Sequence, residues 1–134
     1  MPHMERVKLL LRRAKRFLRD AEQALEDRYY DIAIFYAEQA ARLGLKALVL
    51  KTIGYYPEIH GLRELLGIYY SVSHDEEAAE LAKHARRILA LLERAYTEAR
   101  YGSEEYTEEE AREALAVAQK LLELITERLG ELSN

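Results

Sequence analysis

Cysteine and tryptophan are absent from this 134-residue sequence, and proline (two residues) is rare. Without cysteine the chain can form neither disulfides nor thiolate metal sites, which suits a cytoplasmic protein. No apolar run reaches the roughly 18 residues of a membrane span. The N-terminus, MPHMERVKLLLRRAKR, has charges scattered through it and is unlike a signal peptide. We therefore expect a cytoplasmic protein, with residues 1–3 as a disordered or tag-derived tail.

Charged and hydrophobic residues are abundant, at 33% and 49% of the sequence. These proportions and the length predict one globular domain over residues 1–134. Many Glu, Arg and Lys residues with few Asn and Gln are typical of thermophile proteins. The net charge of −4 is unevenly spread. Residues 1–20 hold seven basic and two acidic residues, a net charge of +5. Residues 104–113 hold one basic and six acidic residues, a net charge of −5.

The apolar periodicity predicts an all-α fold, an up-and-down helical bundle of four long helices and one short helix. The second helix, from Tyr29 or Asp31 to Gly54, is the one around which the others are organised. Small residues recur along it at spacings of three and four, which is one helix face that lets a neighbouring backbone approach closely. This small face consists of Ala33, Ala37, Ala40, Gly44 and Ala47.

The remaining helices are predicted over residues 4–26, 58–70 (the short one), 73–100 and 107–129. The predicted apolar stripe of the first helix consists of Val7, Leu10, Leu11, Ala14, Phe17, Leu18, Ala21 and Leu25. That of the last helix consists of Ala111, Ala114, Leu115, Ala118, Leu121, Leu122, Ile125 and Leu129. Ser73 with Glu76, and Thr107 with Glu110, fit the capping-box pattern at the start of the last two helices. Gly54 should end the second helix. No strand-like alternation of useful length is present.

The segment AIFYAEQAARLGLKALVLKTIGYYPEIHGLRELL resembles the signature of the HEPN domain, a helical domain of higher eukaryotic and prokaryotic nucleotide-binding proteins. That signature has an aromatic-rich helix start, an EQAA…LKAL core, a glycine, a proline and an H-x-L-x-x-L third helix. ARYG at residues 99–102 and the closing alanine-rich helix resemble later parts of the family pattern. The matching signature positions are Tyr36, Glu38, Gln39, Ala40, Ala41, Leu45, Lys46, Ala47, Leu48, Gly54, Pro57, His60, Leu62 and Leu65.

The resemblance implies a homodimer, and a partner that is a separate minimal nucleotidyltransferase, as in two-component toxin–antitoxin pairs. Some family members are metal-independent RNases with an Arg-x(4–6)-His motif near the dimer interface. This sequence departs from that pattern, because no arginine lies five to seven positions before His3, His60, His74 or His84. It also lacks the Gly-Ser motif with paired aspartates of a nucleotidyltransferase, so such a partner would be another protein.

Five residues are the candidates for contact with a nucleotide. His60 and Arg63 lie three residues apart, at a spacing that could hold a phosphate. The other interpretation of His60 is a helix cap or an interhelix bond. Lys46 either extends past its apolar neighbours to solvent or approaches a phosphate. Arg100 and Tyr101 end the fourth helix, where an arginine also complements the helix dipole.

Other polar features have two interpretations each. The basic face of the first helix is either solvated and paired with the acidic last helix or water, or it is a surface that contacts phosphate or RNA. Glu38 either makes an interhelix hydrogen bond to Arg42, Arg100 or a tyrosine, or does acid–base work. The ten tyrosines either bury their rings at helix ends or stack on bases. His74 and His84 form no metal-binding pattern, and no metal or other cofactor is expected.

The function predicted from these residues and from the resemblance is a HEPN-like binding and interaction module. No catalytic residue is predicted for it. The alternatives are a HEPN-class RNase toxin with a non-standard site, such as His60 with Arg63 or Arg100, and a bundle that only scaffolds.

Overall fold

The computed structural model describes residues 2–55, 58, 61–101 and 105–130, and this part of the chain forms six α-helices and no strand. The predicted all-α fold is confirmed. The helices are α1 (Pro2–Glu26), α2 (Tyr30–Ile53), α3 (Leu62–Ser73), α4 (Glu76–His84), α5 (Arg86–Tyr101) and α6 (Glu108–Leu129). α1 therefore begins two residues before the predicted start.

Helix α2 is central, since it packs against α1, α3, α5 and α6. All five residues of its small face are buried. At Gly44 the closest neighbours come from α6: an added Cβ would lie 2.8 Å from Leu122 Cδ1 and 3.0 Å from Ile125 Cδ1. The predicted close approach at the small face is thus confirmed, with α6 as the helix that makes it.

The apolar stripes of α1 and α6 face this central helix. Of the predicted stripe of α1, five residues are buried (Val7, Leu10, Leu11, Ala14 and Ala21), and Phe17, Leu18 and Leu25 are partly buried. In α6 every residue of the predicted stripe is buried: Ala111, Ala114, Leu115, Ala118, Leu121, Leu122, Ile125 and Leu129. Together these side chains belong to one hydrophobic core.

The predicted fourth long helix is wrong, because α4 and α5 are two helices that meet at Ala85. The Ala85 N–H donates to the Leu81 carbonyl and the Leu89 N–H donates to the Ala85 carbonyl, so a single residue rather than a loop separates the two helices. The two helices differ in their neighbours. Both contact α3, and α5 also packs against α2 and α6.

The predicted capping box of Ser73 and Glu76 is also wrong. Ser73 is the last residue of α3, and His74 follows in the left-handed conformation (φ 55°). The cap of α4 is Asp75, whose carboxylate accepts the Ala78 N–H at 3.1 Å. Aspartate is a favoured N-cap. The same carboxylate also accepts from Arg128 Nε (2.7 Å), which ties α4 to α6.

The predicted short third helix, 58–70, is displaced: α3 begins four residues later, at Leu62, and ends three residues later, at Ser73. The predicted start of α6 and the predicted end of α2 are confirmed. Thr107 and Glu110 form a complete capping box at the start of α6. Gly54 ends α2 with φ 98°, a left-handed conformation that glycine adopts without strain. At the start of α2, the residue before the first turn is Tyr29, and no side chain caps the helix.

Candidate functional site

Glu38 on α2 is the buried charged residue in the described part of the chain, with an exposed fraction of 0%. Its Oε1 accepts from Gln39 Nε2 and its Oε2 accepts from Arg42 Nε, each at 2.8 Å. Burial raises the pKa of Glu38, Arg42 and Gln39 oppose this rise, and the nearby carboxylate of Glu93 adds to it. Glu38 is therefore held by a partner on each oxygen, and its Arg42 partner lies within α2 rather than on another helix.

Arg42 connects this carboxylate to an aromatic pair between α2 and α5. Its guanidinium carbon lies 4.2 Å from the centroid of the Tyr96 ring, close enough for a cation–π interaction. The Phe35 ring is stacked with Tyr96, with centroids 6.3 Å apart and planes 2° from parallel. Arg42 is thus fixed by a carboxylate and by a ring.

Glu93 on α5 makes the second ion pair of this region. It accepts from Arg63 Nε (3.0 Å) and Nη2 (2.9 Å), and from the Arg63 backbone N–H (2.9 Å), so it also caps the start of α3. Burial raises the pKa of Glu93, but these bonds to Arg63 outweigh burial and leave it lowered. Gly61 permits this approach, since a Cβ there would lie 3.0 Å from Glu93 Cδ.

These residues form what we call the polar cluster, on α2, α3 and α5. Its members are Glu38, Gln39, Arg42, Arg63, Glu93 and Tyr96. Each carboxylate has an arginine partner, and Glu93 takes two of the five side-chain N–H donors of Arg63. The arrangement suits binding of an anion better than proton transfer, because the carboxylates already accept from arginines.

The structure describes two of the five predicted site side chains. Arg63 belongs to the polar cluster. Lys46 lies on α2 four residues after Arg42, hence on the same side of that helix, and is partly buried. His60 lies outside the described residues. Arg100 and Tyr101 are the last two residues of α5, and their side chains also lie outside the described part.

Sequence reasoning missed Glu93 and Tyr96 and gave Arg42 no role beyond a partner for Glu38. One local signal was available: Phe35, Gln39, Arg42 and Lys46 follow at spacings of four, three and four, which is a polar and aromatic face on an otherwise apolar helix. Glu93 carries no such signal, because its partner Arg63 lies 30 residues away.

A second surface, a groove between two helices, has different electrostatics. It lies between α1 and α6 and has a volume of about 990 Å³. Its lining includes the carboxylates Glu22, Glu123 and Glu127 and one cation, Lys15. Like charges repel, so this groove disfavours a phosphate.

No described helix combines the length and apolar character needed to cross a membrane. No cluster of three or more histidine or carboxylate side chains that could hold a metal ion is found in the same part of the chain.

Comparison with known proteins agrees with the fold and the signature. A family model of the HEPN domain matches residues 7–129. The crystal structure of TT1696 from Thermus thermophilus superposes with a TM-score of 0.73 at 29% sequence identity, covering 92% of this chain and 98% of that one. No curated protein matches this sequence. Since the family model spans most of the chain, the protein belongs to the HEPN domain family.

Proposed function

We propose that this chain is a HEPN-type binding module, that it works as a homodimer with a separate minimal nucleotidyltransferase, and that the polar cluster holds the phosphates of a nucleotide. The toxin–antitoxin setting is part of the proposal. The geometry of the polar cluster supports the proposed nucleotide ligand, and membership of the HEPN family supports the proposed nucleotidyltransferase partner.

The main observation in support of a phosphate ligand is the geometry of Arg63. Glu93 takes two of its five side-chain N–H donors, which leaves three for another acceptor. The side chain is 49% exposed, so a phosphate can reach those donors. Because the carboxylate already orients the guanidinium, binding costs little further side-chain entropy.

Lys46 and Tyr96 add to this argument. Lys46 provides a second cation on the side of α2 that carries Arg42, and cations at two points favour a phosphate chain over a single anion. Tyr96 is partly buried with Arg42 against its ring, so a base stacking on it would need that guanidinium to shift. The phosphates are therefore the part of the ligand that we assign to the cluster.

A thermal-shift titration with ATP, GTP and other nucleotides tests the ligand, because a nucleotide that binds the native state raises the melting temperature. The test variant is Arg63→Gln. The matched control is Arg87→Gln, since Arg87 also makes one ion pair, to Glu113 at 2.8 Å, away from the polar cluster. We expect a shift that Arg63→Gln abolishes and Arg87→Gln keeps.

A shift that persists in Arg63→Gln would contradict the site, and the absence of any shift would contradict the ligand. A fluorescent RNA-cleavage assay should be run in parallel. Cleavage lost in His60→Ala would instead support the RNase alternative and overturn the binding module. Size-exclusion chromatography with light scattering, alone and with a nucleotidyltransferase encoded next to this chain, tests the homodimer and the complex.

A further inference from the structure

The outer face of α1 carries a row of cations, which we call the basic stripe: Lys8, Arg12, Arg16 and Arg19. At 100° per residue these four fall within an arc of about 80°, and they extend about 16 Å along the helix axis. The three arginines are exposed and Lys8 is partly buried. The opposite face of the helix is in the core, with Val7, Leu11 and Ala14 at most 3% exposed.

None of these four cations pairs with a carboxylate in the described structure. The salt bridges there use Arg42, Arg63, His84, Arg87, Arg112 and Arg128. The acidic start of α6, which the sequence offered as a partner for this face, is engaged elsewhere: Glu108 pairs with Arg112, and Glu113 pairs with Arg87. The basic stripe therefore makes no described ion pair, and the exposed carboxylates Glu5 and Glu26 lie beyond its two ends on the same side of α1.

The position of α1 in the fold decides between the anionic partners. A basic amphipathic helix binds a membrane by inserting its apolar face, but here that face is buried against the other helices. Three of the four cations are arginines, whose guanidinium groups match phosphate oxygens in a bidentate geometry. Successive cations advance about 4.5–6 Å along the axis, a regular row that suits a chain of repeating phosphates better than an isolated carboxylate.

We propose that the basic stripe binds the phosphodiester backbone of a single-stranded nucleic acid, independently of the nucleotide assigned to the polar cluster. A flexible single strand can lie along a straight row of cations. No aromatic residue lies within the stripe, so bases are not stacked there and sequence is not read. RNA and DNA strands of equal length should therefore bind alike, because backbone contacts do not use the 2′-hydroxyl.

The test is fluorescence anisotropy with mixed-sequence RNA and DNA strands of about 12 nucleotides, titrated at several salt concentrations. Four phosphate contacts predict that log K falls with log salt at a slope of about −3. Arg12→Gln/Arg16→Gln removes two contacts and should make the slope shallower by about 1.4. Both residues are exposed, so circular dichroism should show an unchanged fold.

The matched control is Arg87→Gln/Arg112→Gln, which removes two exposed arginines and the same net charge from other helices. We expect this control to leave the salt slope unchanged. We expect the same of Arg63→Gln, since Arg63 belongs to the polar cluster and not to the basic stripe. The strand-binding proposal can therefore fail without the nucleotide proposal failing, and the reverse. An equal effect of the control, or no binding at low salt, would overturn the proposal. So would tighter binding of polyglutamate than of RNA, or a change of oligomeric state in the stripe variant without RNA binding.

Discussion

Replacing Arg42 by methionine should destabilise the protein in a way that depends on pH. Arg42 is 15% exposed and its partner Glu38 is 0% exposed, so the substitution leaves a fully buried carboxylate without its charged partner. Methionine keeps most of the apolar stem, so the core itself is not emptied. The loss should therefore come from charge rather than from packing.

Two contributions set the size of the loss. Breaking a buried ion pair from one side costs about 3–5 kcal/mol, and the slight exposure of Arg42 places this pair near the lower end. The lost cation–π contact with Tyr96 adds about 1 kcal/mol. The free energy of unfolding should fall by roughly 4 kcal/mol at neutral pH.

The dependence on pH follows from the pKa of Glu38, which burial raises above its ordinary value of 4.5. Without Arg42, the largest opposing effect is gone and the folded-state pKa rises further. A carboxyl group whose folded pKa lies above its unfolded pKa lowers stability as the pH rises through that range. The penalty should be complete above the folded pKa and should shrink as Glu38 takes up a proton, leaving mainly the cation–π loss.

Urea unfolding followed by far-ultraviolet circular dichroism at about pH 5 and about pH 8 measures both quantities. Arg42→Met/Glu38→Leu is the control, since replacing both charges by apolar groups is often neutral or stabilising. We expect the double variant to recover most of the stability at the higher pH. An equal loss at the two pH values, or a double variant as unstable as Arg42→Met, would refute the reasoning.

Two further predictions concern stability. Gly44→Val should lower the free energy of unfolding by about 2 kcal/mol, because even a Cβ would lie 2.8 Å from Leu122 Cδ1, whereas Gly67→Ala, with no atom within 4 Å, should raise it by about 0.5–1 kcal/mol. Effects of the same sign in urea unfolding would contradict this. Arg128 holds the pKa of Asp75 well below its ordinary 3.8, so the stabilising contribution of Asp75 is present above about pH 5 and is lost as the pH falls. In Asp75→Asn the urea unfolding midpoint should fall less steeply as the pH is lowered than it does in the unmodified protein. An equally steep fall in both proteins would contradict this prediction.

The features predicted correctly from sequence are those set by neighbours within two turns of a helix. The stripe of α6, the capping box at Thr107 and the end of α2 at Gly54 all depend on residues a few positions apart. What was missed depends on contacts between distant segments. Ser73 does not cap α4, because α3 continues to that residue, and the ion pair of the actual cap, Asp75, joins it to Arg128, 53 residues later. Glu93 caps α3 across 30 residues, and no periodicity indicates this.

The two surfaces assigned here hold their arginines in different ways, and this difference predicts how each would bind. In the polar cluster, Arg63 is oriented by the Glu93 carboxylate, so its remaining donors point in fixed directions and favour a ligand of defined shape. In the basic stripe no described carboxylate orients Arg12 or Arg16, so the side chains can follow a flexible polyanion, and binding there depends strongly on salt. A nucleotide at the first surface should therefore tolerate salt better than a strand at the second. One salt titration of both ligands would separate the two modes of recognition in this single helical bundle.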